Sequence, residues 1–191
     1  MPAFKMNKTE KLMSLEEFDG LPEGARVEVI RGIPCDMAGP SQIHQELLRE
    51  LLVSIEQYIR KKKGGCKVFP APFDVKLKEK PLTIVEPDLF VVCNHGKLDG
   101  RRCNGAPDWI IEIASPGSFQ RDYIEKLNLY HQAGVREYWI VNPEEKTIAA
   151  YYLEVEKQKL SVYTFDDTVP VGIYSDFSID FAEIWTMATR S

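Results

Sequence analysis

The sequence contains no apolar run near the ~20 residues that a transmembrane helix requires. Its first residues, MPAFKMNKTEKLMSLEEF, also lack the apolar core of a signal peptide, so we expect a cytoplasmic protein. A surplus of basic residues is absent as well: the formal net charge is -5, which argues against a surface coated with basic groups for nucleic acid. That charge does not exclude an acidic site that recovers positive charge when it binds a cation.

Cysteine is scarce, and its spacing does not match a metal motif. The chain has four cysteines (Cys35, Cys66, Cys93 and Cys103), with no C-x-x-C pair, and its three histidines do not complete zinc-finger spacing. We therefore predict free, buried thiols in a reducing compartment, not a structural zinc site.

Length and composition fit one domain with a sizeable core, because 44% of the 191 residues are hydrophobic. Residues 14–20 (SLEEFDG) predict a short helix capped by Ser14. The alternating strings RVEVI and GIPCDM predict a hairpin that turns at Arg31 and Gly32. A long amphipathic helix is predicted over 42–62, where apolar residues recur at helical spacing.

Further along the chain, strand patterns outnumber helical ones. KVFPAPFDVKL predicts one broken strand, TIVEPDLFVV and DWIIEIA one strand each, and residues 94–106 a polar loop. A helix over about 119–133 follows, then strands at REYWIV, TIAAYYLEV and KLSVYTF, a short one near 172–175, and an amphipathic piece at DFAEIW. This order predicts an α/β (α+β) fold in which helices flank a central mixed sheet.

One segment is strongly basic: Arg60, Lys61, Lys62 and Lys63 follow one another. These cations suit the C-terminal turn of a helix, where they favour the helix dipole. A phosphate-binding patch is the second interpretation.

Two acids lie inside otherwise apolar strands. Asp88 precedes the run LFVV, and Glu112 interrupts WIIEIA. Because Glu112 has apolar neighbours on both faces of its strand, the strand is expected to be covered on both sides. A buried carboxylate is costly unless it is paired or bound to metal. The two acids are therefore either a cation site for Mg²⁺ or satisfied structural carboxylates.

The helix after Glu112 carries Asp122, Lys126 and Tyr130 four residues apart, on one face. Spacing alone favours a surface Asp–Lys pair worth ~0.3–0.5 kcal/mol. The alternative is that Lys126 lies near the two acids, where it orients the nucleophile and offsets charge on the phosphate.

The strings EPDLFVV, PDWIIEIASPGS and RDYIEKLNLYHQAGVREYWIVNPEEKTIAAY resemble the Uma-two family of restriction-endonuclease-like proteins. RVEVIRGIP and GPSQIHQELLREL resemble two earlier family segments, and the similarity spans roughly residues 14 to 185. It implies a PD-(D/E)XK nuclease core, with a mixed four-stranded sheet between helices, as a single restriction-endonuclease-like domain over residues 1–191.

The resemblance also implies the site. Asp88 and Glu112 match the family's metal ligands, for Mg²⁺ or Mn²⁺, and Lys126 completes the catalytic set. The superfamily lysine expected two residues after the second acid is replaced by Ala114, and the helix residue Lys126 stands in for it. This departure leaves open whether the protein is catalytically active.

Secondary site candidates match further family positions. Glu28 either adds an oxygen near the metal or forms a cross-strand pair. His44 either faces the pocket as an acid, base or phosphate donor, or is structural. Asp74 either lines the cleft or stays solvated. Tyr130 packs or positions Lys126.

Two functions follow as hypotheses. The first is a Mg²⁺-dependent endonuclease that hydrolyses phosphodiester bonds of DNA or RNA, with DNA as the favoured partner. The second is a catalytically silent nucleic-acid-binding or assembly protein that keeps the nuclease fold, which the acidic composition favours. A homodimer without membrane association is expected in either case.

Overall fold

The computed structural model of the protein describes residues 11–22, 24–115, 121–154 and 158–190. The α-helices are α1 (Leu15–Asp19), α2 (Gln42–Lys62), α3 (Leu127–Ala133) and α4 (Phe181–Ala188). The strands are β1 (Val27–Ile30), β2 (Ile33–Asp36), β3 (Lys67–Pro70), β4 (Val75–Glu79), β5 (Leu82–Val85), β6 (Leu89–Val92), β7 (Cys103–Asn104), β8 (Trp109–Ile113), β9 (Glu137–Asn142), β10 (Thr147–Tyr152), β11 (Lys159–Thr164), β12 (Thr168–Pro170) and β13 (Ser178–Asp180). A 3₁₀ turn covers His95–Lys97, and a π-helical segment, Arg121–Lys126, leads into α3.

The predicted α/β class is confirmed, and the sheet is divided further than predicted. A six-stranded sheet has the order β11-β10-β9-β8-β6-β3, and its β8–β9 pair is parallel while its other pairs are antiparallel. A five-stranded sheet has the order β2-β1-β5-β4-β7, and β12 pairs with β13. The described residues therefore form two larger sheets, where a single central sheet was predicted. No helix in the described ranges is long and apolar enough to cross a membrane.

Local sequence signals account for the first elements. Ser14 caps α1 in a reciprocal capping box with Glu17, as predicted. The β1–β2 hairpin turns at Arg31 and Gly32, whose φ angles are 53° and 85°. Two positive φ angles in a two-residue loop match the twist of a hairpin, and glycine accepts this conformation without cost.

Helix α2 covers one face of the six-stranded sheet. Its residues Leu47, Leu51 and Ile55 are fully buried, and they belong to one core with Trp109 and Ile111 of β8. Burying each such aliphatic side chain contributes roughly 1.5–3 kcal/mol. The basic run lies in the last turn of α2, as the dipole interpretation predicted.

The opposite face of that sheet carries a second core. Phe90 of β6 and Ile110 of β8 pack there with Tyr130 of α3 and Tyr138 of β9. The even-numbered residues of β6 and β8 therefore point towards α3, since side chains alternate along a strand. This alternation places Glu112 of β8 on the side of α3.

Two segments, the first predicted as a broken strand and the second as one strand, each cross from one sheet to the other. Residues 67–77 run from β3 in the six-stranded sheet to β4 in the five-stranded sheet, and residues 83–92 run from β5 to β6. Prolines lie at both crossings, at Pro72 and Pro87, where the missing N–H interrupts a ladder of hydrogen bonds. The break predicted in the first segment is confirmed, whereas the single strand predicted for the second was wrong, and the correction places residues 86–88 at the junction of the two sheets.

Three smaller predictions also change. The helix predicted over 119–133 begins, within the described residues, as the π-helical segment and becomes α-helical at Leu127; residues 119–120 lie outside those residues. The strand predicted near 172–175 is absent from the described chain, and β12 and β13 lie on either side of it. The loop 94–106 contains the 3₁₀ turn and the short strand β7.

The prediction of free thiols fails for two of the cysteines. Cys66 and Cys93 form a disulfide, while Cys103 keeps a free, buried thiol. The reason is the register of β3 and β6, in which Lys67 lies opposite Val92, so the next residues along the two strands face each other. Sequence spacing of 27 residues gives no hint of that register.

Reducing this disulfide is expected to lower the free energy of unfolding by roughly 3.5 kcal/mol, from the loop-closure entropy of about 27 residues. Urea unfolding with and without a reductant measures the change. A Cys66→Ser/Cys93→Ser variant should show the same loss without reductant. An unfolding midpoint of the wild type that does not respond to reductant would contradict the disulfide.

Candidate active site

Asp88 and Glu112 lie beside each other at the start of β6. Leu89, the first residue of β6, lies opposite Ile111 of β8, so Asp88, just before β6, comes next to Glu112 in β8. The backbone N–H of Asp88 donates to Oε2 of Glu112 at 3.4 Å, and the N–H of Ile113 donates to Oδ2 of Asp88 at 2.7 Å. The two predicted metal ligands therefore lie together at the start of β6, where Glu112 points towards α3 and the carboxylate of Asp88 is within reach of α2.

Glu112 is buried, with only 4% of its surface exposed. Its Oε1 accepts hydrogen bonds from Nζ of Lys126 at 2.9 Å and from the hydroxyl of Tyr130 at 2.7 Å. Burial and the charge of Glu112 raise the pKa of Tyr130 well above its usual value, so the hydroxyl remains a donor. Of its two predicted roles, packing or positioning Lys126, Tyr130 has the first, since it is fully buried in the core, and its hydroxyl positions Glu112.

Asp122, Lys126 and Tyr130 share one helical face, as predicted, and all three are buried. The interpretation of Asp122 and Lys126 as a surface ion pair is therefore wrong. The π-helical segment and α3 pack over the sheet, so this face points inwards, towards the acids.

Glu28 joins this cluster from the other sheet. It lies in β1 and is 1% exposed, and its Oε1 is 2.9 Å from Nζ of Lys126. The same oxygen accepts the backbone N–H of Glu86 at 3.1 Å, at the junction of the sheets. Lys126 therefore bridges one carboxylate from each sheet.

The cluster holds more negative than positive charge. Burial raises the pKa of Glu112 to about 8, against the lowering effect of Lys126, and Asp88 adds to the rise. Burial alone would lower the pKa of Lys126, but the charges of Glu112 and Glu28 outweigh it and raise that pKa. The ammonium group thus stays protonated, but it can balance only one of the three carboxyl groups Glu28, Asp88 and Glu112. The raised pKa of Glu112 favours its protonated form near neutral pH, and a bound cation would displace that proton and balance the carboxylates that Lys126 does not.

His44 reaches the acids from the start of α2. Ser41 caps this helix by accepting the backbone N–H of His44 at 3.3 Å. The Nε2 atom of His44 is 3.0 Å from Oδ2 of Asp88, and its Nδ1 atom is buried without a partner among the described residues. With the proton on Nε2, the ring donates to Asp88 and orients its carboxylate.

Asp74 lies apart from this cluster. It is half-buried just before β4, and burial raises its pKa, while the charge of Arg102 lowers it and that of Glu86 raises it. Within the described chain, no hydrogen bond or ion pair joins its carboxylate to Asp88 or Glu112. The structure therefore brings together six of the seven predicted site residues and leaves Asp74 at the edge.

Sequence reasoning missed Glu86 and its partner. Glu86 is 8% exposed, connects to Glu28 through its backbone N–H, and accepts a hydrogen bond from Arg26 at 2.9 Å. Its position two residues before Asp88, in the string EPD, was the available signal.

Two carboxylates limit what the site can hold. Within the ranges that the structure describes, no group of three or more histidine, cysteine or acidic side chains is arranged to hold a metal ion. Mg²⁺ usually keeps several waters and takes only one or two protein carboxylates together with substrate phosphates. The adjacent Asp88 and Glu112, with their surplus charge, fit that requirement.

Comparison with known proteins agrees with the fold. A family profile described as "Putative restriction endonuclease" (Uma2) matches residues 15–182. Among solved structures, the chain is similar to one titled a "putative nuclease belonging to DUF820" from Anabaena variabilis. The two share 22% identity with a TM-score of 0.76, over 92% of this chain and 99% of that one. No curated protein sequence matches the chain.

Proposed function

Because the chain belongs to the Uma2 family of restriction-endonuclease-like proteins, we propose that it is a metal-dependent nuclease that hydrolyses phosphodiester bonds, with DNA as the favoured substrate. The observation that carries the proposal is the buried contact of Glu112 with Lys126 beside Asp88. A structural ion pair would balance its charges, whereas this cluster sets three carboxyl groups, those of Glu28, Asp88 and Glu112, against one ammonium. We also propose that a single domain spans residues 1–191.

Asp88 and Glu112 would hold the cation, Mg²⁺ or Mn²⁺. When bound, such an ion lowers the pKa of a coordinated water and stabilises the charge that develops on phosphate oxygens. Its positive charge would also balance the carboxylates that Lys126 does not, so the donor set and the electrostatics both suit a hard divalent cation.

The surrounding side chains prepare the two carboxylates for this task. His44 orients Asp88, and Tyr130 orients Glu112. Lys126 holds its proton, so it would act as a hydrogen-bond donor and a positive charge near the phosphate, not as a general base. These fixed donors limit the reorganisation needed when a negatively charged phosphate arrives.

Ala114 occupies the position where the PD-(D/E)XK superfamily has its lysine. Because Lys126 reaches Glu112 from the helix, we propose that it supplies the missing cation from another element. The site needs a positive charge beside the second acid, and an inward-facing helix residue can supply it as well as a strand residue can.

The alternative is a catalytically silent nucleic-acid-binding or assembly protein. One observation favours it: two carboxylates, Glu28 and Glu112, already engage Lys126 at 2.9 Å each. A lysine held in this way could serve only to join the two sheets.

Cleavage assays on labelled single- and double-stranded DNA and RNA separate these functions. We expect DNA cleavage with Mg²⁺ or Mn²⁺ and none with a chelator. Binding of nucleic acid without cleavage, under every metal condition, would reject the nuclease and support the silent alternative. Cleavage that persists in the chelator would contradict metal dependence.

A further inference from the structure

The six-stranded sheet ends at β11, which leaves one side of this strand without a strand partner among the described residues. β11 pairs with β10 through all six of its residues, from Lys159 opposite Tyr152 to Thr164 opposite Thr147, with no irregularity in the register. A regular edge strand presents unpaired N–H and C=O groups along its open side, where another strand can pair.

The two edges of this sheet differ. The opposite edge, β3, contains Pro70 and Lys67, contacts α2 and is tied to β6 by the disulfide at Cys66. Proline, lysine and covering elements are the usual means by which proteins prevent pairing at an edge. β11 contains no proline, and its only charged residue is Lys159, at its first position.

The open edge is also apolar on one face. Leu160 is 51% exposed and Val162 is 65% exposed, the larger value being the highest among the exposed large hydrophobic residues of the described chain. Their cross-strand partners are Tyr151 and Ala149, on the face that α3 covers further along the sheet. Beside them lies a groove of about 330 Å³ whose lining includes Leu160 and Tyr151.

We propose that β11 pairs antiparallel with β11 of a second copy of this chain, which joins two six-stranded sheets across a two-fold axis. The distribution of charge along β11 favours this partner. Each strand begins with the cation Lys159 and is followed by the exposed acid Asp166, so antiparallel self-pairing near Val162 brings the basic end of one strand beside the acidic end of the other. Opposite charges across strands stabilise pairing, whereas a parallel arrangement would bring like charges together. The proposal does not depend on nuclease activity, because none of these residues belongs to the candidate active site.

Sedimentation equilibrium of the full chain tests this surface. We expect a dimer for the wild type and at least about tenfold weaker association for Val162→Lys, which brings two lysines together at the centre of the pairing. The matched control is Val53→Lys, on the exposed face of α2, where the residue is 43% exposed. It should leave association unchanged.

Charge reversal tests the direction of pairing. Lys159→Glu should weaken association, and Lys159→Glu combined with Asp166→Lys should restore it, because the opposite charges face each other again. Asp166 is chosen because the neighbouring Asp167 is already engaged by the N–H and hydroxyl of Thr164. A wild type that is monomeric at every concentration would overturn the proposal, as would a dimer that Val162→Lys leaves intact. Failure of the double variant to restore association would overturn the antiparallel arrangement.

Discussion

Asp88→Asn is expected to lower the rate of metal-dependent cleavage by at least about a thousandfold. A metal ion contributes several kcal/mol of transition-state stabilisation, and about 4 kcal/mol corresponds to that factor. Asparagine keeps the size of the side chain and an oxygen that can accept the N–H of Ile113, so the local fold should persist. Single-turnover cleavage at saturating Mg²⁺ measures the loss.

A matched control for this variant is Asp36→Asn, at the exposed end of β2, which should cleave at the wild-type rate. Glu112→Gln should lose as much activity as Asp88→Asn, since both carboxylates would serve one ion. Cleavage that continues unchanged in Asp88→Asn would place the activity at another site or in a contaminant, and the proposed function would fail.

Lys126→Met is expected to lower the free energy of unfolding by about 3–5 kcal/mol, the range found when one partner of a buried ion pair is removed. The side chain of Lys126 is 5% exposed, and its ammonium is the shared partner of Glu28 and Glu112. Methionine fills a similar volume, so the loss reports the uncompensated carboxylates and not a cavity. Urea unfolding, with the slope checked for an unchanged m-value, measures it.

Two comparisons sharpen that measurement. Lys76→Met breaks a pair with Glu79, whose side chain is 59% exposed, and should cost less than about 1 kcal/mol. Glu28→Gln added to Lys126→Met should recover part of the loss, because it removes one of the buried carboxylates left without a counter-ion. If Lys126→Met were as stable as the wild type, the ammonium would not be the counter-ion of the buried acids.

Sequence patterns predicted the local elements well, because their determinants lie within a few residues. The capping box at Ser14, the turn at Arg31 and Gly32 and the apolar face of α2 follow from side chains that contact one another along the chain. Strand continuity was predicted less well. The crossings at Pro72 and Pro87 depend on which sheet each half-strand joins, and that choice involves partners far away in the sequence.

Some residues of the candidate site could likewise be predicted from the sequence, and others could not. Asp88 and Glu112 stand out in the sequence because acids are rare inside apolar strands, and these residues remain predicted ligands until cleavage or metal binding is measured. Lys126 does not stand out, since an i,i+4 pair with Asp122 has the same spacing on a surface helix as on a buried one. Only the packing of α3 against the sheet distinguishes the two cases.

By itself, the sequence determined the α/β class, the position of α2 and the two unusual acids, because the spacing of apolar residues and the local composition indicate these features. Tertiary structure decided the rest. It placed Glu112 beside Asp88 through strand register, brought Glu28 from the second sheet to Lys126, and joined Cys66 to Cys93. Each of these contacts depends on the alignment of distant segments, and that alignment minimises the energy of the whole core and not of any one segment.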